Sequence, residues 1–64
     1  VTQRERLLEL LAEFGIEPAA NDEPDTEHDV TLRAHEGGVY GWNGFLCTFE
    51  FDDTGAFKSV GVWE

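Results

Sequence analysis

The sequence predicts an α+β domain: an N-terminal helix packed on one face of a three-stranded antiparallel β-meander, in the order αβββ. Three observations predict it. Leucines recur at helical spacing behind a capping signal near the start. Two runs with a period of two flank Asp52-Asp53-Thr54-Gly55, as in a hairpin. A shorter alternating run at about 29–35 supplies a further strand.

The helix is expected over residues 2–14. Thr2 is a suitable N-cap, and Glu5, three residues on, completes a capping box. Leu7, Leu8, Leu10, Leu11 and Phe14 form the apolar stripe, with Arg4, Arg6, Glu9 and Glu13 largely on the remaining surface. Gly15 suits the first residue past the helix, Ile16 can fold back on Leu11, and Pro18 prevents continuation.

An acidic connector, 17–28, leads to the first strand. Residues 17–29 hold six acids and no Lys or Arg. Without them eight acids face four bases, a net −4 against −10 for the whole chain, so most of the imbalance is local. In the strand at about 29–35, Val30, Leu32 and Ala34 are expected to point inward. Glu36-Gly37-Gly38 turns the chain, and Gly41 and Gly44 mark irregular backbone around Tyr40 and Trp42.

The last two strands are expected at about 44–51 and 57–63. Asp52 to Gly55 suits a type I turn with Gly55 at a left-handed bulge position. Pairing Asp52 with Ala56 and keeping strict alternation sets Phe51 against Phe57, Glu50 against Lys58, Cys47 against Gly61 and Phe45 against Trp63. Phe45, Cys47, Phe49, Phe51, Phe57 and Trp63 then form the core face against Leu7, Leu8, Leu11 and Phe14, with Val30 and Leu32. Leu46, Val60 and Val62 fall on the uncovered face, with Tyr40 and Trp42 sharing their parity if the strand runs back through them.

A single domain spanning 1–64 is small enough to bury only about 60% of its unfolded surface. One cysteine excludes an intramolecular disulfide, and one cysteine with two histidines argues against a zinc staple. No cofactor loop is expected, since no glycine-rich turn follows a strand and opens a helix. No apolar run is long enough to span a membrane, and no leader pattern is visible, which makes the cytoplasm the expected compartment. A net charge of −10 argues against direct contact with nucleic acid or an anionic membrane and favours a basic protein partner.

Asp53-Thr54-Gly55 matches the triplet of aspartic proteases, but that chemistry needs two carboxylates sharing a proton, and these residue types belong in a turn. Cys47 falls on the core face, where a thiol is inert packing. His28 among Asp22, Glu23, Asp25, Glu27 and Asp29 lacks the glycine and terminal glutamate of a calcium loop. An enzyme is therefore not expected.

The acids have a solvating reading and a recognition reading. In the second, Glu9, Glu13, Glu17, Asp22, Glu23, Asp25 and Glu27, with Asp52 and Asp53 at the hairpin tip, imitate a run of phosphates. Tyr40, Trp42, Leu46, Val60 and Val62 supply an apolar patch beside them, unless the glycine-rich loop folds the two aromatics over the sheet as a lid. An acidic chain of this size with a capped helix and a C-terminal FEFDDTGAFKSVGVWE hairpin resembles small phage-encoded accessory proteins. The resemblance rests on size, charge and architecture. It implies a host-cytoplasmic inhibitor, in some cases a DNA mimic, acting on a larger host or viral protein. The alternative is an oligomerisation module, a homodimer formed through a sheet edge or the exposed sheet face.

Overall fold

The computed structural model describes residues 1–20 and 26–64 and shows the αβββ arrangement. Helix α1 spans Gln3–Glu13. The strands are β1, Val30–Arg33, β2, Leu46–Phe51, and β3, Phe57–Trp63, in one antiparallel sheet of order β1-β2-β3.

Both helix ends follow the local chemistry of the sequence. Thr2 Oγ1 accepts from Glu5 N at 3.1 Å, and Glu5 Oε1 accepts from Thr2 N at 3.3 Å, so each residue satisfies the other's free amide. At the far end Gly15 turns left-handed (φ 75°). Gly15 N then donates to Ala12 O at 3.2 Å and Ile16 N to Leu11 O at 2.8 Å, a complete Schellman closure.

The core sits where Leu11 meets Val30 and Phe51, with Leu7, Leu8, Ile16, Leu32 and Phe49 packed around them. The aromatic face expected of β2 is therefore correct. That of β3 is not. The hairpin begins as anticipated: Asp52 N donates to Ala56 O at 2.9 Å, Gly55 takes φ 85°, and Phe51 faces Phe57. The register then slips at Lys58, so Glu50 pairs with Ser59, Phe49 with Val60, Thr48 with Gly61, Cys47 with Val62 and Leu46 with Trp63.

Residue spacing accounts for the bulge. Strict alternation from Phe57 would turn Ser59 and Gly61 toward the helix. One extra residue turns Val60 and Val62 that way instead, opposite Phe49 and Cys47, where branched side chains pair well across the strands. Trp63 consequently leaves the core. Its ring lies over Gly61 on the opposite face, where a Cβ on Gly61 would stand 2.0 Å from Cζ3. Thr48, opposite Gly61, is buried there with Thr31, their hydroxyls 3.2 Å apart. The expected Glu50–Lys58 pair is replaced by a 2.7 Å bond from Ser59 Oγ to Glu50 Oε2.

Further core assignments are corrected. Phe45 and Phe57 are exposed, although the Phe57 ring still stands edge-on to Phe51 with centroids 6.0 Å apart. Leu10 and Phe14 are also exposed. Gln3, Leu7, Leu10 and Phe14 lie along one flank of α1 by helical spacing. Gln3 Oε1 accepts from Phe57 N at 2.6 Å, so this flank looks toward β3. No β3 residue belongs to the core cluster, which leaves the flank facing an uncovered strand.

Candidate protein-binding surface

Two kinds of surface stand out, one of carboxylates and one of apolar side chains. On α1, Glu9 lies about 200° around the axis from buried Leu11, so it points away from the sheet. Glu13 follows one turn later, about 6 Å along. Glu17 continues past the Gly15 turn, and all three are exposed. The ion contact present among the described residues is His28 Nε2 to Glu27 Oε1 at 3.4 Å. Glu9, Glu13, Glu17 and Asp53 thus have no Lys or Arg partner within 4.0 Å among those residues. Arg4 is engaged elsewhere, its Nε donating to His28 O at 3.1 Å. Asp22, Glu23 and Asp25, expected to extend this surface, lie outside the described residues.

Asp52 has a different role from its neighbour. Its Oδ1 accepts from Thr54 N at 2.9 Å, Thr54 Oγ1 at 2.6 Å and Ala56 N at 3.0 Å. The Thr54 hydroxyl, and next the Ala56 amide, hold its carboxyl below the usual carboxylate range. Glu5 is lowered likewise, first by the Thr2 amide and then by the Thr2 hydroxyl. Both carboxylates close backbone turns, whereas Asp53 stands free at the hairpin tip. The Asp53-Thr54-Gly55 triplet is that tip.

The apolar surface is differently arranged from its expectation. Strand β1 ends at Arg33 rather than 35, and β2 begins at Leu46 rather than 44. Between them Ala34 N donates to Phe45 O at 3.1 Å and His35 N to Val39 O at 2.7 Å, with His35 itself left-handed (φ 67°). Glu17 N donates to Gly37 O at 3.2 Å, tying the loop to the end of the helix segment. A Cβ on Gly37 would meet Glu17 O at 2.5 Å, so that contact requires glycine.

Tyr40 and Trp42 project from this loop at 92% and 82% exposure, so neither is a lid. Gly41, Trp42 and Phe45 line an open depression of about 490 Å³. The patch imagined as Tyr40, Trp42, Leu46, Val60 and Val62 is not a single sheet face. Leu46 pairs with Trp63 on the face away from the helix, and Val60 and Val62 pair with Phe49 and Cys47 on the helix side. Cys47 is half-buried there, opposite Val62 rather than Gly61.

Sequence reasoning missed Leu10, Phe14 and Trp63 as surface groups. The signal for the first two was a leucine stripe wider than one sheet contact. For Trp63 it was a glycine two residues earlier on the same strand face. Among the described residues no group of three His, Cys, Asp or Glu side chains is placed to share a metal, and no helix is long and apolar enough to cross a membrane. Comparison with protein-family models, with curated proteins and with solved structures finds no match to the chain.

Proposed function

We propose that the chain is a non-enzymatic protein-binding module, an acidic inhibitor that occupies the nucleic-acid-binding surface of a larger basic protein. The supporting observation is the set of exposed carboxylates with no Lys or Arg within 4.0 Å among the described residues: Glu9, Glu13 and Glu17 along the helix side and Asp53 at the hairpin tip. Carboxylates paired within the fold would have little left to offer a partner. Unpaired ones attract a cationic surface at long range and lose that attraction to screening. The aromatic side chains of Tyr40 and Trp42 add rigid apolar contact area of the kind that anchors interfaces. The resemblance to phage accessory proteins agrees with this reading and with action in a host cytoplasm.

The test is binding to a basic nucleic-acid-binding protein at rising salt, with duplex DNA as competitor. Affinity should fall steeply with salt, DNA should displace the chain, and a Glu9→Gln, Glu13→Gln, Glu17→Gln variant should bind more weakly and with a shallower salt slope. Binding indifferent to both salt and these substitutions overturns the electrostatic mechanism.

A further inference from the structure

The two edges of the sheet differ. Along β1, Ala19 N donates to Thr31 O at 2.8 Å, so the connector begins to cover that edge. Strand β3 has β2 on one side and no strand on the other among the described residues. The Asp52–Ala56 bond fixes which groups face out. It turns the even-numbered residues of β2 toward β3, so Ser59, Gly61 and Trp63 bond to β2. The N–H and C=O groups of Val60 and Val62 therefore point to the open edge. Their side chains are 51% and 68% exposed on the helix side.

The residues along this edge are complementary to their own reversal about Gly61. Val60 mirrors Val62, Ser59 mirrors Trp63, and Lys58, the only lysine, mirrors Glu64. We propose that β3 pairs antiparallel with β3 of a second copy about a two-fold axis at Gly61, giving a continuous six-stranded sheet. Val60 then exchanges both backbone hydrogen bonds with Val62 of the partner subunit, and the symmetry repeats the exchange. The valines meet side by side on the helix face. Lys58 stands opposite Glu64 of the partner subunit at each end of the ladder, both residues being exposed in the single chain. Glycine at the axis lets the two backbones approach at their closest point.

Charge sets the conditions. Each chain carries −10, so the copies repel except at Lys58 and Glu64, and screening strengthens the dimer. This salt dependence is opposite in sign to that of binding a basic partner, so the two readings fail separately.

Sedimentation equilibrium between about 0.05 M and about 0.5 M salt tests the pairing. A dimer that tightens with salt is expected. Lys58→Glu or Glu64→Lys alone should raise its dissociation constant about tenfold, and the two together should restore it. Val62→Pro removes an outward N–H while leaving the bonds to β2, so it should give a folded monomer by circular dichroism. A monomer at every concentration and salt overturns the proposal. So does a dimer indifferent to Val62→Pro, or one that the charge exchange fails to restore.

Discussion

Strands β2 and β3 belong to one hairpin and share one tight turn, yet only β2 is built into the core. Phe51 is buried, Thr48 is buried, and Phe49 packs against the leucines. On β3 every residue except Gly61 is exposed. The difference comes from neighbours. Among the described residues β2 has a strand on each side and a helix above, whereas β3 pairs with one strand and contributes nothing to the core cluster. A turn sets how two strands start. The layer above decides which of them carries the stability.

The largest test of that division is truncation at equivalent depth. Phe51→Ala removes a ring that touches Leu11 and Val30 and stands edge-on to Phe57. The expected loss is about 3–5 kcal/mol, comparable with the whole stability of a domain this small, so urea titration followed by circular dichroism should find it largely unfolded. A loss below about 1 kcal/mol would mean that Phe51 does not anchor the core.

The turn itself comes next. Gly55 is left-handed, and an added Cβ would lie 2.6 Å from Thr2 Cβ, while Gly55 O accepts from Arg4 N at 3.0 Å. Gly55→Ala therefore strains the hairpin and pushes the helix cap away together. We expect a loss of about 2 kcal/mol in thermal unfolding, more than the about 1 kcal/mol for Thr2→Ala, which removes the cap alone. Equal effects would indicate that the hairpin tip and the helix start are uncoupled.

These two sites also mark what the sequence made legible. The capping box, the Schellman closure and the turn are local, each written in a few adjacent residues whose backbone groups have few other partners. β2 was legible because its alternation continues unbroken from Phe45 to Phe51. β3 was not, because the spacing of three from Phe57 to Val60 conflicts with the period of two carried from the turn. Only the cross-strand pairing of Val60 with Phe49 and of Val62 with Cys47 resolves that conflict. The outward position of Tyr40 and Trp42 had no signature at all, since their loop is shaped by left-handed His35, Gly37 and Gly38 rather than by a repeat. Of the candidate surface, the sign of the charge could be read from composition. Which carboxylates stand free could not, since Asp52 and Asp53 are adjacent and identical in kind.

That adjacent pair yields a smaller effect, readable by pH. The folded state lowers the pKa of Asp52, through the Thr54 hydroxyl first, and of Glu5, through the Thr2 amide first. Groups lowered on folding contribute stability above their unfolded pKa and lose it as pH falls through the folded one. The chain should therefore become less stable as pH drops below about 4, the unfolded carboxylate range. Asp52→Ala should lower the melting temperature at neutral pH and flatten the acid limb. Asp53→Ala should leave the melting temperature at neutral pH unchanged, since no bond holds its carboxylate. Equal behaviour of the two variants would sink the assignment of Asp52 to the turn.

The smallest expected effect falls on β3, and its smallness is informative. Val60→Thr and Val62→Thr keep the branched shape that suits a strand and alter side chains already half or more in water. In dilute, low-salt solution, where the proposed dimer should dissociate, each should change stability by less than about 0.5 kcal/mol. A threonine in place of Phe49 on β2's inner face would instead remove a ring packed against the leucines of α1 and leave a hydroxyl there. Raising concentration and salt should break the silence. With β3 paired to a second copy, the valines meet across the new ladder and a hydroxyl there loses water, so both variants should weaken the dimer while the monomer remains as stable as before. Loss of monomer stability instead would show that Val60 and Val62 already lie beneath α1, and the contrast between the two strands would disappear.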